Sequence, residues 1–462
     1  MIKQMEKETD TITARATPSG EGAIAIIRVS GPDTFEIIQR CFHPYKDKCV
    51  KFNYLTLGKF IDPLDDSFLD EVFVVYFQKP LSYTGEDAGE IYCHGSPAIS
   101  TRIVETLCHL GARFAEPGEF TKRAFINGKM DLTKAEAVCD LIRAQTDKSA
   151  ALALRQLQGD LYHKIKSVKD NIVTVGVELE ARLDFPEENL GAQNNEAILG
   201  ILGETGKEIE NLIRQGINAR IYTRGARVTV LGRPNTGKSS LFNALLRMER
   251  AIVTPHPGTT RDSIEGTVDL KGCPVTYIDT AGIHHTENQV EMLGMERTKK
   301  EIYRADLNLF LIDGSLPLSD EDSHIFQIVS QSPFILVLNK MDLAQCVLKD
   351  ETTIFEKKAH KILHTSALKG DGIESLETAI TDFLISETGI EDALVTNERH
   401  LTQLARSKDS LINALDAIRG GIAEELVMVD IRESLHHLSL ITGEEIDEEI
   451  LDAIFRRFCI GK

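Results

Sequence analysis

No window of this sequence approaches the roughly 18 consecutive apolar residues that a membrane-spanning helix requires, so no membrane span is expected. The first residues, Met1-Ile2-Lys3-Gln4-Met5-Glu6-Lys7, lack the apolar centre of a secretion signal, and a cytoplasmic location is expected. Eight cysteines are scattered without a C-x-x-C pair, which favours reduced thiols over disulfides or zinc. A basic excess is missing as well. The 52 Lys and Arg stand against 71 Asp and Glu, for a formal net charge of -19. That balance argues against a generally basic nucleic-acid surface, so any RNA partner must meet a local patch. At 462 residues the chain exceeds one ordinary core, and its length suggests about three domains.

What is present centres on Gly232-Arg233-Pro234-Asn235-Thr236-Gly237-Lys238-Ser239-Ser240, between the apolar run Arg227 to Leu231 and the helical stretch Leu241 to Leu246. Strand, glycine loop and helix start are the context of the phosphate-binding loop G-x-x-x-x-G-K-[ST]. Its glycines let backbone N–H groups face phosphates, and the helix start adds a positive dipole end. Lys238 is expected to reach the β- and γ-phosphates, and Ser239 to offer its hydroxyl to Mg2+. A second strand-like run ends in Asp279-Thr280-Ala281-Gly282, where Asp279 would hold Mg2+ through water and the Gly282 N–H would face the γ-phosphate. A third, Phe334 to Leu338, ends in Asn339-Lys340-Met341-Asp342. The Asp342 carboxylate accepts guanine N1–H and N2–H, a donor pair adenine lacks, so GTP is the expected nucleotide. Ser366-Ala367-Leu368 resembles the loop that closes over the base. Each motif follows a predicted strand, where open α/β sheets bind ligands.

Around this unit the patterns change. Residues 11 to 30 predict two strands about the Pro18-Ser19-Gly20 turn, Leu69–Phe77 and Gly89–His94 further strands, and Ala98–Leu110 a helix, which together suggest an α+β domain ending near residue 120. Two polar, glycine-containing segments, Ser82 to Glu90 and Pro117 to Lys129, read as loops. From Leu154 through Leu161, Ile165, Val168, Ile172, Val175 and Leu179 to Leu183, apolar steps of three and four predict one long amphipathic helix that Pro186 stops. A further helix is expected over Ala197–Ile221, and helical patterns return after residue 385. Helices on both sides of the α/β unit suggest a G domain inserted into a helical domain; separate helical hairpins are the alternative.

Ala16-Thr17-Pro18 with Arg28-Val29-Ser30-Gly31, Tyr83-Thr84-Gly85-Glu86-Asp87, Pro117-Gly118-Glu119-Phe120, the nucleotide motifs and the terminal Phe458-Cys459-Ile460-Gly461-Lys462 together resemble the tRNA-modification GTPase family known as MnmE or TrmE. The resemblance implies a multidomain α/β plus α+β protein: a folate-binding and dimerisation domain (1–122), a helical domain from residues 123–224 and 384–462, and a Ras-like P-loop G domain (225–383) inserted into it. It also implies a homodimer working with the FAD-dependent partner MnmG or GidA. Together they would place an aminomethyl or carboxymethylaminomethyl group on carbon 5 of the wobble uridine of certain tRNAs, the one-carbon unit coming from a tetrahydrofolate derivative such as the 5,10-methylene or 5-formyl form. Arg28, Glu90 and Lys129 match the family's folate contacts, with Lys462 near them, and Cys459 matches the cysteine associated with modification.

The resemblance also supplies the hydrolytic parts. Ile283 stands where Ras-type enzymes place a water-orienting Gln, and an aliphatic chain cannot orient water. The family instead uses K+, which here would be held by Asn235 and by Thr254, His256 and Thr259 of the loop Thr254-Pro255-His256-Pro257-Gly258-Thr259-Thr260, with the Thr260 hydroxyl joining Ser239 on Mg2+. The family usually has Asp-Ile or a similar pair where this chain has Pro255-His256. Glu291 matches the catalytic glutamate; a solvated helix-face glutamate is the plain alternative. A GTP-switched ribosome-assembly or RNA-binding factor is the rival reading, separated by Arg28, Glu90, Lys129 and the terminal cysteine. A dynamin-like mechanical GTPase lacks its membrane-binding face here.

Overall fold

The structure is a computed structural model and describes residues 10–46, 50–184, 195–248, 251–252, 264–279, 299–346, 355, 357–385 and 393–462. The chain forms two compact units, one of residues 1–142, 154–210 and 402–462, the other of 143–153 and 211–401.

The first unit opens with β1 (Ile12–Arg15), β2 (Ile24–Ser30), α1 (Thr34–Cys41), β3 (Phe42–Pro44), β4 (Thr56–Asp62), β5 (Ser67–Phe77), β6 (Ala88–His94), α2 (Pro97–His109) and β7 (Arg113–Phe114). They build a seven-stranded sheet in the order β3-β4-β5-β6-β2-β1-β7, antiparallel except for the β1·β7 pair. Side chains alternate faces along a strand. Ala25, Ile27 and Val29 of β2 are therefore buried with α1 and α2, while Ile24, Ile26 and Arg28 face the other way. That second face carries a cross-strand row, Leu57–Phe73–Tyr92–Ile26, in which Leu57 is 38% and Phe73 45% exposed.

The segment expected to be a polar loop, Pro117 to Lys129, is instead helical over α3 (Glu119–Ile126), with Glu119, Thr121 and Arg123 buried. Its polar residues find remote partners. Arg123 donates to Glu119 at 2.8 Å and to the Asp10 carboxylate at 2.7 Å, and Arg113 donates to Glu119 at 2.7 Å. Ser30 Oγ donates to Glu86 at 2.8 Å, and the Tyr83 and Thr121 hydroxyls lie 2.9 Å apart. Ser82 and Thr84 are likewise buried.

Next come α4 (Leu132–Arg143), α5 (Asp147–Gln158), α6 (Asp160–Asp184) and α7 (Asn195–Arg224). The single long helix expected from Leu154 onward is broken at Gly159, whose φ of 99° is left-handed and ends α5. Its predicted stripe is otherwise buried along α6, from Leu161 to Leu179.

The second unit holds β8 (Ala226–Leu231), α8 (Lys238–Met248), β9 (Ala251–Ile252), β10 (Ile264–Leu270), β11 (Cys273–Asp279), β12 (Leu307–Asp313), α9 (Asp320–Val329), β13 (Phe334–Asn339), β14 (Lys361–His364) and α10 (Ile373–Leu384). Its sheet runs β14-β13-β12-β8-β11-β10-β9, parallel from β14 to β11, with β10 and β9 antiparallel. β12 and β13 are buried along their whole length, as central strands covered on both faces must be. This is the Ras-like α/β arrangement that the motifs predict.

The chain then returns to helices with α11 (Glu398–Arg419), α12 (Glu424–Thr442) and α13 (Glu448–Phe455). Lys169 bonds Ser439, Gly176 lies against Ile431 and Arg182 pairs with Glu424, so α6 and α12 run antiparallel. The α/β unit is thus inserted between helical segments that pack together. No helix of the described residues is long and apolar enough to cross a membrane, and the seven cysteines among them are free.

Burial alone would raise the Glu119 pKa, but donors from Arg113, the Glu116 N–H and Arg123 outweigh it and hold the carboxyl below the usual range. A depressed carboxylate stabilises the fold above its unfolded pKa, about 4.3, and that contribution is lost as pH falls through the folded value. Glu119→Gln should raise amide exchange across 119–126 at pH 7 and weaken its acceleration between pH 5 and 3; unchanged exchange at pH 7 would refute the role.

Candidate functional site

At the end of β8 the chain turns through Gly232 (φ 152°), Asn235 (φ 67°) and Gly237 (φ 97°) before α8 begins at Lys238. A Cβ on Gly232 would come within 2.5 Å of the Leu311 carbonyl oxygen, so the loop's close approach to β12 demands glycine. Asn235 is one of the few residue types that tolerate the left-handed region. Lys238 Nζ donates to the carbonyls of Gly232 and Arg233 at 2.7 and 2.8 Å. Burial pulls its pKa down, with Asp279 and Glu321 opposing. Ser239 Oγ donates to Asp279 Oδ2 at 3.1 Å, which brings a hydroxyl and a carboxylate from two motifs to one point. Ser240 follows, exposed, in the first turn of α8.

The Asn339-Lys340-Met341-Asp342 motif is tied to this loop. Asn339 is 2% exposed and its Nδ2 donates to the Thr236 carbonyl at 2.8 Å. Its Oδ1 accepts from the Ala367 N–H at 3.0 Å and the Thr365 hydroxyl at 3.2 Å. Ser366 Oγ donates to Asp342 Oδ1 at 2.7 Å and is the first cause of that carboxyl's lowered pKa, which keeps Asp342 an acceptor. Lys340 Nζ pairs with Asp313 Oδ2 at 2.7 Å. Leu368, expected beside the base, is 85% exposed. Thr254, Pro255, His256, Pro257, Gly258, Thr259, Thr260, Thr280, Ala281, Gly282 and Glu291 lie outside the described residues.

A second cluster sits on the open face of the first unit's sheet. Arg28 and Glu90 are register partners on β2 and β6, and Arg28 Nε and Nη2 both donate to Glu90 Oε1, at 3.0 and 2.8 Å. The Tyr92 hydroxyl donates to Glu90 Oε2 at 2.9 Å, and its pKa is pushed up to about 12 by burial first and by Glu90 second, so it stays a donor. The rings of Tyr83 and Phe120 lie 5.4 and 5.6 Å from the Arg28 guanidinium carbon. The C-terminal hook closes the cluster. Arg28 Nη1 donates to the Gly461 carbonyl at 3.4 Å, Gly118 N–H to the Cys459 carbonyl at 3.3 Å and Phe120 N–H to the Lys462 carbonyl at 3.2 Å. Burial, then the Arg28 charge, lowers the Lys462 pKa against the pull of Glu90 and Cys459. The Cys459 residue is exposed. Lys129 instead meets the loop bearing Tyr83, donating to the Pro80 carbonyl at 2.8 Å.

Sequence reasoning missed three participants. Asp313 had a signal, an acid at the end of an apolar strand, but no motif around it. Tyr92 lies two residues from Glu90, on the same strand face. Phe120 is quoted in Pro117-Gly118-Glu119-Phe120 without a role.

The family model described as the MnmE helical domain matches residues 132–459. The one described as the GTP-binding protein TrmE N-terminus matches residues 11–129. The tRNA modification GTPase MnmE of Carboxydothermus hydrogenoformans is 42% identical over 98% of this chain and 99% of its own length. That of Thermoanaerobacter pseudethanolicus is 43% identical over the same shares. This chain belongs to the MnmE family. A crystal structure of Aquifex aeolicus Era with GDP and AlF4- is 27% identical, covering 40% of this chain and 67% of that one at a TM-score of 0.29.

In this MnmE family member the Asp342 carboxylate, an acceptor at both oxygens, suits the two guanine donors. Asp342→Asn replaces one acceptor with a donor, which opposes a guanine N–H but complements the 2-oxo group of xanthine. GDP affinity should fall by about 10- to 100-fold, from loss of a charged hydrogen bond, while xanthosine diphosphate gains. Equal losses for both nucleotides, by titration calorimetry, would reject the reading.

Proposed function

We propose that this chain is a potassium-dependent GTPase that, with an FAD-dependent partner of the MnmG/GidA kind, adds a carboxymethylaminomethyl or aminomethyl group to carbon 5 of the wobble uridine of certain tRNAs. Its parts are an N-terminal domain over 1–122, a helical domain from 123–224 and 384–462, and a G domain over 225–383. The observation that carries the tRNA-modification reading over a plain GTP switch is the convergence of Arg28, Glu90, Lys462 and exposed Cys459 at one place on the N-terminal sheet.

The donor set there suits a tetrahydrofolate derivative. Glu90 offers a carboxylate to the donor edge of a pterin, Tyr83 and Phe120 offer apolar faces, and two adjacent cations, Arg28 and depressed Lys462, suit the glutamate tail. Lys129 would reach the ligand from the Tyr83 loop. Bound folate would supply the one-carbon unit, and Cys459 would act in the modification step. The open sheet face also supports a homodimer: Leu57 and Phe73 leave apolar surface beside Arg28 and Glu90, which a second copy would cover.

In the G domain, backbone N–H groups from Asn235 to Ser240 and Lys238 would hold the phosphates, and Asn339, Lys340, Asp342, Ser366, Ala367 and Leu368 the base. The Ser239 hydroxyl beside Asp279 is the hard-oxygen pair that Mg2+ prefers. Thr260 would complete the protein's share. Asn235, Thr254, His256 and Thr259 would hold K+, with Pro255, Pro257 and Gly258 shaping the loop around Thr280, Ala281 and Gly282. Bound K+ would supply positive charge against the phosphates. Glu291 would orient the attacking water, a task Ile283 cannot perform. A cytoplasmic location would suit the tRNA substrate.

Turnover should be many-fold faster in KCl than in NaCl at equal ionic strength; equal rates in a phosphate-release assay count against the potassium site. Cys459→Ser should abolish the modified nucleoside in tRNA hydrolysates while GTP turnover persists. Normal levels of that nucleoside would remove Cys459 from the chemistry.

A further inference from the structure

Arg233, the second residue of the phosphate loop, has a guanidinium that the site description leaves without a task. Its side chain is only 15% exposed and reaches α9, where Nε lies 3.5 Å from Oδ2 of Asp322, a carboxylate with no exposure. Asp322 is the third residue of α9. Its Oδ2 accepts from the Ser319 N–H at 3.0 Å and the Ser319 hydroxyl at 2.9 Å, a capping box that fixes the carboxylate in place. Two buried atoms are left over: Arg233 Nη2 and Asp322 Oδ1 have no hydrogen-bond partner.

Nε and Nη2 form one fork of the guanidinium, and Oδ2 and Oδ1 are the matching fork of the carboxylate. With Nε 3.5 Å from Oδ2, the orphaned Nη2 and Oδ1 are the pair that would complete a two-pronged contact. The backbone of the same residue leads to the phosphates: the Arg233 carbonyl accepts from Lys238 Nζ at 2.8 Å and from the Thr236 hydroxyl at 2.9 Å. Any shift of Arg233 is therefore felt by the lysine expected to grip the nucleotide.

We infer that Arg233 and Asp322 are a positioning pair that holds the phosphate loop against the start of α9, and that a hydrogen bond from Nη2 to Oδ1 closes when guanine nucleotide is bound. Buried orphans of opposite charge favour closure, and closure sets the loop geometry that Lys238 and the backbone N–H groups need. Coupling of this kind is reciprocal, so nucleotide tightens the pair as much as the pair tightens nucleotide.

The inference rests on the guanine-nucleotide reading of the loop, so the full-length wild-type chain is first shown to bind fluorescent GDP; no binding would overturn that reading and this one with it. Arg233→Lys keeps the charge but not the fork, and Asp322→Asn keeps an acceptor for the capping box. Each should speed GDP dissociation about tenfold, and the double variant by about tenfold rather than about a hundredfold, because both remove one interaction. The rise in unfolding temperature caused by saturating GDP should shrink in each variant. Wild-type GDP binding with unchanged dissociation in the variants would overturn the pair alone. So would multiplicative effects in the double variant, or lower unfolding temperatures with the GDP increment intact, which mark a purely structural contact.

Discussion

One primary amide holds the nucleotide site together. Asn339 donates to the loop after β8 and accepts from the segment after β14, so one buried side chain ties all three motif segments to each other. Only an amide offers a donor and an acceptor at one branch point. A carboxylate there would set a second acceptor against the Thr236 carbonyl and leave buried groups unpaired, at about 1–3 kcal/mol each. The same contact explains Gly237. It lies so close to Asn339 Nδ2 that no Cβ fits, and its φ of 97° excludes most other residues independently.

The cluster on the N-terminal sheet is organised differently. Arg28 and Glu90 are brought together by strand register, which a one-residue slip of either strand would destroy by turning one of the two side chains to the opposite face. Rigid strands thus carry the polar pair, and the C-terminal hook completes it from sequence more than four hundred residues away. Gly461 is what lets the hook lie so near β1: its φ is 90°, and an added Cβ would come within 2.9 Å of the Ala16 Cα.

The nucleotide site was legible because its chemistry constrains the chain locally. Backbone N–H groups can face phosphates only through glycines and tolerant residues at fixed spacing, so the loop is visible without the fold. Strands such as β8 and β13 were legible for a related reason, as short apolar runs ending in those motifs. The α3 segment was misread because its polarity satisfies distant groups: Glu119, Thr121 and Arg123 look solvated until Asp10, Tyr83 and Arg113 are placed beside them. The break at Gly159 was missed because a glycine inside a helical stripe costs only about 1 kcal/mol, too little to decide from periodicity. Arg233 and Asp322 are 89 residues apart in sequence, and although each sits in a local motif, nothing local pairs them.

Charge ties the two sites to one problem. A GTPase of net charge -19 must bind its anionic nucleotide without a broadly attractive field. Four of its site cations are paired or partly sunk. Arg28 is matched to Glu90 and Lys340 to Asp313, while Lys238 and Lys462 are sunk deep enough that burial pulls their pKa values down. An ammonium group in that condition is held at a cost that an arriving anion relieves, so ligand binding and lysine charging favour each other. Affinity for phosphate at such a lysine arises at the point of contact, where the cation is partly desolvated, more than from long-range attraction. That arrangement lets an acidic protein select anions by shape, because only a ligand that reaches the buried group gains from it.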